Sequence, residues 1–220
     1  MNELANDDNI QPAAESAPPV AATNQKRKTS KSLLQELLET LLLTLILFTA
    51  TKFSIQNYQV EGISMVPTLQ DGERILVDKV SYLFQTPPRG DIVVFKYPQD
   101  PTRNFIKRVI GEPGDRIEIK PVNSVYRVFV NGKMLAEPYI NQPPNEPYPA
   151  SCASPKTCVP YVVPAHDLFV MGDNRQNSFD SRSWGPLPLS DMIGHAMIAY
   201  WPLKHFGILG NQFSYAASKK

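Results

Sequence analysis

Residues 104–111 read "NFIKRVIG", a short run rich in β-branched residues that decides the fold class. Strand-like alternation predicts that Phe105, Lys107 and Val109 share one face of a β-strand. A lysine between two apolar neighbours has two interpretations. It is either buried, which lowers its pKa and lets it act as a base, or it lies in an edge strand and its ammonium reaches water. The pattern alone leaves both open.

Similar runs follow one another along the chain: "ILVDKV", "DIVVFKY", "RVFVNGKML", "DLFVMGDN" and "HAMIAYWPL". Asn131-Gly132 between two apolar runs predicts a type I′ hairpin. The 21 prolines against 11 glycines favour an irregular, turn-rich β protein. We therefore expect a mainly β protein, with an antiparallel β-sheet domain over residues 54–220 and a turn-rich lobe inserted at about residues 120–168.

An apolar segment, "SLLQELLETLLLTLILFTATKF" at residues 32–53, precedes the strands and predicts one membrane-spanning helix. Ser32 and Gln35 fit a helix capping box. Glu36 and Glu39 interrupt the apolar run near its start. An amphipathic helix that lies on a membrane or in a protein core is the alternative.

Residues 1–31 are rich in Ala, Pro, Asn and Gln, which predicts a disordered tail. The tail ends in the basic cluster of residues 26–31, whereas only Lys52 lies at the far end of the apolar segment. The positive-inside rule then places the tail in the cytoplasm and the rest of the chain outside. The end of the apolar run, "LFTATKF", lacks an Ala-x-Ala site, so we expect an uncleaved anchor.

Composition excludes some classes of partner. The net charge of +1 gives no basic field that would favour nucleic acid as a partner. Cys152 and Cys158 match neither a CxxC redox motif nor a zinc-site pattern. A short disulfide and two unpaired thiols both remain open.

Ser64, in "GISMVPTL" at residues 62–69, is either a turn residue or a nucleophile. A nucleophilic serine needs a base to accept its proton. The three histidines, His166, His195 and His205, lie outside any recognisable triad context. Lys107 is therefore the other candidate base.

Polar residues crowd "MGDNRQNSFDSRSWGPLP" at residues 171–188, where residues 172–174 indicate a tight turn. The segment could form a polar network behind an active site, with Ser178 bound to a neutral lysine amine. The alternative is a solvated loop stabilised by Asx turns and an Asp180–Arg182 pair.

These segments resemble, in the same order, those of the type I signal peptidases (leader peptidases), a family of membrane-anchored Ser/Lys endopeptidases. The resemblance rests on the anchor, "GISMVPTL", "RGDIVVF" (89–95), "FIKRVIGEPGD" (105–115) and "GDNRQNSFDSRSWGPLP" (172–188). It covers nearly the whole chain after the tail.

The resemblance implies a role for each matching residue. Ser64 is the nucleophile and Lys107 the general base in the catalytic domain. Ser178 orients the lysine, and the pair Asp180 and Arg182 supports the wall of the active site.

The resemblance also implies an oxyanion region and a substrate pocket. Some members of the family have a serine at the position of Gly62, so here the oxyanion would depend on backbone N–H groups, including that of Ser64, or on water. Shallow apolar pockets for small substrate side chains are implied at Val60, Met65, Leu69, Phe105 and Ile106. Members can also carry a closely spaced cysteine pair in the lobe, which favours a Cys152–Cys158 disulfide.

The implied reaction is cleavage of exported preproteins after an Ala-x-Ala-like segment, without a metal or a cofactor. The implied surroundings are membrane lipid and the cell membrane, with a single-pass anchor and an extracytoplasmic catalytic domain. An internal membrane such as the thylakoid remains open. The alternatives are an inactive membrane-tethered β module that binds export partners, and a repressor-type Ser/Lys self-cleaving protease.

Overall fold

The computed structural model describes residues 32–154 and 158–216, so the predicted tail at 1–31 lies outside the described part. Helix α1 covers Leu33–Ser54. The predicted capping box is confirmed, because the Gln35 N–H donates to the Ser32 hydroxyl and the Ser32 N–H donates to the Gln35 side chain, each at 3.3 Å. Among the described residues, only this helix is long and apolar enough to cross a membrane.

Within residues 32–154 and 158–216, thirteen strands follow α1, and a short helix α2 (Ser181–Trp184) lies between β9 and β10. The strands are β1 (Ile55–Gln59), β2 (Arg74–Asp78), β3 (Ile92–Tyr97), β4 (Asp100–Gly111), β5 (Arg116–Val122), β6 (Val125–Val130), β7 (Lys133–Ala136), β8 (Tyr161–Val162), β9 (Asp167–Met171), β10 (Leu187–Pro188), β11 (Met192–Trp201), β12 (Gly207–Ile208) and β13 (Ser214–Tyr215).

The first sheet has the order β1-β2-β11-β3-β4-β9-β10, and β12 also pairs with β11. The pairings are antiparallel, which confirms the predicted fold class. β4 contains the stretch "FIKRVIG" and pairs with β3 along one side, where Lys107 lies opposite Val93. Because Lys107 is only 4% exposed, the interpretation as a solvated edge-strand lysine is wrong.

The second sheet has the order β13-β7-β6-β5-β8 and forms the inserted lobe. Asn131 (φ 53°) and Gly132 (φ 76°) connect β6 to β7, and two positive φ angles are typical of the predicted type I′ turn. The sheet begins at Arg116, slightly before the expected start, and it recruits β13 from near the C-terminus. A disulfide joins Cys152 to Cys158 in the same lobe.

A shared apolar core joins the lobe to the first sheet. Ile110 and Phe169 come from the first sheet, whereas Ile117, Ile119 and Val128 come from the lobe, and all five are fully buried. Burial of this kind stabilises by roughly 25 cal/mol per Å² of apolar area, so the lobe is an integral part of the β domain. This shared core therefore holds the two connections between the sheets in place, one after β4 and one before β9.

Candidate active site

Ser64 lies in a compact turn between β1 and β2. Gly62 adopts a positive φ of 86°, and its N–H donates to the Asp71 carboxylate at 2.6 Å. Asn174 holds the turn from the opposite side: its backbone N–H donates to the Ser64 carbonyl at 3.0 Å, and its side-chain amide donates to the Ile63 carbonyl at 3.1 Å. The turn at residues 172–174 therefore fixes the backbone position of Ser64.

Lys107 reaches Ser64 from β4. Its Nζ lies 2.8 Å from the Ser64 Oγ and donates to the Ile106 carbonyl at 3.0 Å. Burial lowers the pKa of the Lys107 amine to about 8, although the charges of Asp180 and Asp173 act in the opposite direction. A fraction of the amine is therefore neutral near pH 7, in contact with a hydroxyl whose proton this neutral form can accept.

Asp180 is a buried carboxylate behind this pair. It accepts the Gly172 N–H at 3.0 Å and two guanidinium N–H groups of Arg182, each at 2.8 Å. Burial alone would raise the pKa of the Asp180 carboxyl, but these hydrogen bonds and the charge of Arg182 hold it below its ordinary value. The solvated-loop interpretation of this segment is wrong, because Asp180 is 0% exposed.

Ser178 lies against Gly172, and a methyl group on that glycine would collide with the Ser178 side chain. The hydroxyl is close enough to help lower the pKa of Asp180, yet no hydrogen bond of good geometry joins the two. Among the described residues the buried Ser178 Oγ has no hydrogen-bond partner. The predicted hydrogen bond to Lys107 is absent from this structure.

A buried ion pair connects the Ser64 turn to β4. Arg108 donates two hydrogen bonds to Asp173, at 2.8 and 2.7 Å, and a third to the Gly90 carbonyl at 2.7 Å. The Thr68 hydroxyl, near the end of "GISMVPTL", donates to the same Asp173 at 2.6 Å. Since Arg108 and Asp173 are both fully buried, this cluster fixes three segments of the site relative to one another.

A second buried pair joins the lobe to the same turn. Arg175 donates to the Gly172 carbonyl at 3.0 Å and forms an ion pair with Glu137 of the lobe. Burial raises the pKa of the Glu137 carboxyl, although Arg175 acts in the opposite direction. Sequence reasoning predicted a role for neither residue. Glu137 lies in a Pro-rich stretch that has no periodic pattern.

An open groove of about 550 Å³ runs past Ser64 and Lys107. Three of the predicted pocket residues, Val60, Phe105 and Ile106, line this groove. Sequence reasoning missed Tyr58 and Phe179, which also line it. Phe179 is 53% exposed, beside the polar residues of its segment.

The prediction that Met65 and Leu69 line the pocket is wrong. They are 1% and 0% exposed and belong to the core beneath the turn. The Leu69 N–H donates to the Met65 carbonyl at 3.0 Å, which is a helix-like turn. Residues four apart in such a turn share one face, and here that face points inward.

Two strand edges border the groove. β1 is the end strand of the first sheet, and within the described residues its outer edge has no partner. β9 pairs with β4 only over Arg108–Gly111, so the same side of residues 101–106 has no strand partner in the described part of the chain. Unpaired edges offer backbone N–H and C=O groups to an extended peptide.

The sequence that forms this site is similar to that of a known protein family. The family model described as signal peptidase, peptidase S26, matches residues 33–201. The chain belongs to this family of signal peptidases. The match includes α1 and the turns that carry Ser64 and Asp180.

Three relatives show how the similarity to signal peptidases is distributed. A signal peptidase I of Leptolyngbya laminosa is 37% identical over 213 residues, 93% of this chain and 97% of its own. A probable signal peptidase I-1 of Synechocystis sp. is 38% identical over 186 residues, 81% of this chain and 88% of its own. The chloroplastic thylakoidal processing peptidase 1 of Arabidopsis thaliana is 34% identical over 172 residues, 70% of this chain and 46% of its own.

Proposed function

We propose that this chain is a signal peptidase that removes N-terminal signal peptides from exported preproteins by cleavage after a small residue of an Ala-x-Ala-like site. The observation that carries the proposal is the 2.8 Å approach of a buried Lys107 amine to the Ser64 hydroxyl, at the wall of an open groove. Family membership and relatives named signal peptidase I support the substrate class.

In this reaction the neutral Lys107 amine accepts the Ser64 proton as Oγ attacks the scissile carbonyl carbon. The tetrahedral intermediate collapses, the peptide C–N bond breaks, and the Lys107 ammonium gives the proton to the departing amine of the mature protein. The signal peptide remains as an ester on Ser64. Lys107 then removes a proton from a water molecule that attacks this ester. The bond between the acyl carbon and the Ser64 Oγ breaks, the Lys107 ammonium returns the proton to Oγ, and the signal peptide leaves with a carboxylic acid that ionises in water.

The oxyanion of each intermediate needs hydrogen-bond donors. Gly62 has no hydroxyl to offer, and its N–H is already bound to Asp71. The Ser64 N–H has no acceptor among the described residues. We assign this N–H to the oxyanion, where the loss of one donor costs about 3 kcal/mol in comparable sites.

The substrate would bind as an extended strand between the unpaired edges of β1 and β4. Side chains alternate along a strand, so the residue before the scissile bond and the residue two positions earlier would point to the same side. Val60, Phe105 and Ile106 form apolar walls on the enzyme. Main-chain hydrogen bonds would give affinity, and small side chains would fit against these walls.

The domain arrangement follows from the anchor. We propose that α1 spans the membrane, with the tail at 1–31 in the cytoplasm and the β domain outside, because positive charge precedes the apolar segment. The membrane is either the cell membrane or an internal membrane such as the thylakoid. Protease added outside sealed spheroplasts should digest the β domain and spare the tail, whereas digestion of the tail alone would contradict this orientation.

The central test is cleavage of a preprotein by the full-length chain in detergent. Ser64→Ala and Lys107→Met should each abolish cleavage, whereas Ser183→Ala and Lys133→Met, which change the same residue types at exposed positions, should not. Retained cleavage in either active-site variant would contradict the Ser/Lys assignment. An inactive tethered binding module would show no cleavage by the unmodified chain.

A further inference from the structure

A second cavity of about 580 Å³ adjoins the active-site groove and shares Tyr58 and Asn104 with it. The proposed peptidase reaction makes no use of this cavity. Two lysines, Lys79 and Lys96, line it together with the hydroxyl-bearing Ser190. Apolar side chains, including Leu83, complete the lining.

The cavity is cationic. Among the residues that the structure describes, Lys79 and Lys96 line it and no carboxylate does. Within residues 32–154 and 158–216, neither amine forms an ion pair or a hydrogen bond. The acidic residues that lie nearest to these lysines in sequence have other partners: Asp78 accepts the Val80 N–H, and Asp100 accepts the Thr102 N–H. Two unpaired ammonium groups beside a hydroxyl and an amide match a phosphate group.

The cavity lies beside the last residue of α1, the helix that we propose spans the membrane. The Lys79 N–H donates to the carbonyl of Ser54 at 2.9 Å, and Ser54 is the last residue of α1. Lipid headgroups lie where a spanning helix leaves the hydrocarbon layer. Leu83, on the cavity wall, is 72% exposed, and the adjacent Phe84 is 86% exposed. Exposed apolar side chains next to lysines are typical of a segment that enters the membrane interface.

We propose that this cavity binds the phosphate headgroup of an anionic membrane lipid, with Lys79 and Lys96 as its cationic ligands. The inference rests on the membrane anchoring proposed above. A zwitterionic choline headgroup would bring its own cation toward the two lysines, so the cavity should select phosphatidylglycerol over phosphatidylcholine. A bound headgroup would fix the height of the catalytic groove above the bilayer.

The test is native mass spectrometry of the full-length chain released from mixed micelles that contain equal amounts of phosphatidylglycerol and phosphatidylcholine. The unmodified chain should retain phosphatidylglycerol preferentially. Each of Lys79→Gln and Lys96→Gln should weaken that retention about fivefold. The control Lys133→Gln removes one positive charge from an exposed position of the lobe and should leave retention unchanged. Equal retention of both lipids, or equal loss in the control, would overturn the inference.

A preprotein cleavage assay in lipid-free detergent separates this inference from the proposed function. Both cavity variants should cleave there like the unmodified chain, which also shows that they fold. If no form cleaves, the proposed peptidase reaction fails whatever the lipid result. If the variants raise the KM for substrates with an acidic residue near the cleavage site, the cavity is a peptide subsite and the lipid inference is overturned. Competition by inorganic phosphate as effective as phosphatidylglycerol would also overturn it.

Discussion

Gly172 packs against the backbone of Ser64: a Cβ atom on Gly172 would lie 2.5 Å from the Ser64 carbonyl oxygen. It would also collide with the Ser178 side chain. We expect Gly172→Ala to displace the Ser64 turn, lower kcat strongly and destabilise the fold by about 1–3 kcal/mol through overpacking. The measurements are preprotein cleavage and thermal unfolding. Gly210→Ala is the matched control, because nothing lies within 4 Å of a Cβ at that position.

The rate of cleavage should depend on the protonation of Lys107. Its pKa is lowered to about 8, so the amine is mostly protonated below that pH and cannot accept the Ser64 proton. We expect kcat/KM to fall by about tenfold per pH unit on the acid side of pH 8. A profile that rises only near the pKa of a solvated lysine, about 10.4, would contradict the burial of Lys107.

Asp180→Asn should shift the pH dependence of kcat/KM toward lower pH. The negative charge of Asp180 stabilises the Lys107 ammonium, so its removal should lower the pKa of Lys107 further and shift the acid limb toward lower pH. The shift is measurable even if the variant is slow, because it concerns the position of the profile. Asp191→Asn, which removes the same charge from the segment before β11, should leave the profile in place.

Ser178→Ala should affect the stability of the fold and the activity in different ways. The Ser178 hydroxyl is buried without a hydrogen-bond partner among the described residues, and such a group costs about 1–3 kcal/mol. Its removal should therefore leave the unfolding temperature unchanged or raise it. If the hydroxyl turns to Lys107 during the reaction, kcat should fall at the same time, whereas the exposed Ser183→Ala changes neither quantity. A variant with full kcat would show that Ser178 does not orient the lysine.

The pair Glu137–Arg175 should stabilise the contact between the lobe and the catalytic turn. Both side chains are buried, so Glu137→Gln leaves an unpaired guanidinium and should cost about 3–5 kcal/mol in thermal or denaturant unfolding. The more exposed pair of Arg89 and Glu112 provides the comparison, and Glu112→Gln should cost at most about 1 kcal/mol. Equal losses in the two variants would contradict a special role for the buried pair.

The disulfide should stabilise the lobe without affecting the chemistry. Cys152 and Cys158 close a short loop, and loss of such a cross-link costs about 2 kcal/mol. Reductant should lower the unfolding temperature of the unmodified chain and leave the Cys152→Ser/Cys158→Ser variant unaffected. Neither cysteine lines the active-site groove, so kcat at moderate temperature should be the same for both forms.

The features of the fold that could be predicted from the sequence arise from interactions between residues that are close together in the chain. The capping box at Ser32 and the hairpin at Asn131-Gly132 are local hydrogen-bond patterns, and strands such as β3 and β4 are long enough to show their composition. The strands of two residues, β8, β10, β12 and β13, are too short to show such a signal, and β8 and β13 also pair with strands that are distant in the chain.

The same distinction applies to the candidate site. Reasoning from the sequence selected Ser64 and Lys107 because each is unusual in its own segment, and the structure places them in contact. It misplaced Met65 and Leu69, because proximity to Ser64 in sequence does not tell which face of a turn points inward. It missed Glu137, whose partner Arg175 lies in a segment that only the folded chain brings near.

Strand β1 begins at the residue that follows the end of α1, so no linker separates the anchor helix from the sheet. The chain from Ser54 to Ser64 spans at most about 35 Å even when fully extended. With α1 in a bilayer, this short distance keeps the active site close to the membrane. The enzyme can then reach only peptide bonds within a thin layer above the lipid surface. Enzyme and membrane-inserted substrate then search for each other in two dimensions, at an effective concentration that a soluble peptide of the same sequence does not reach.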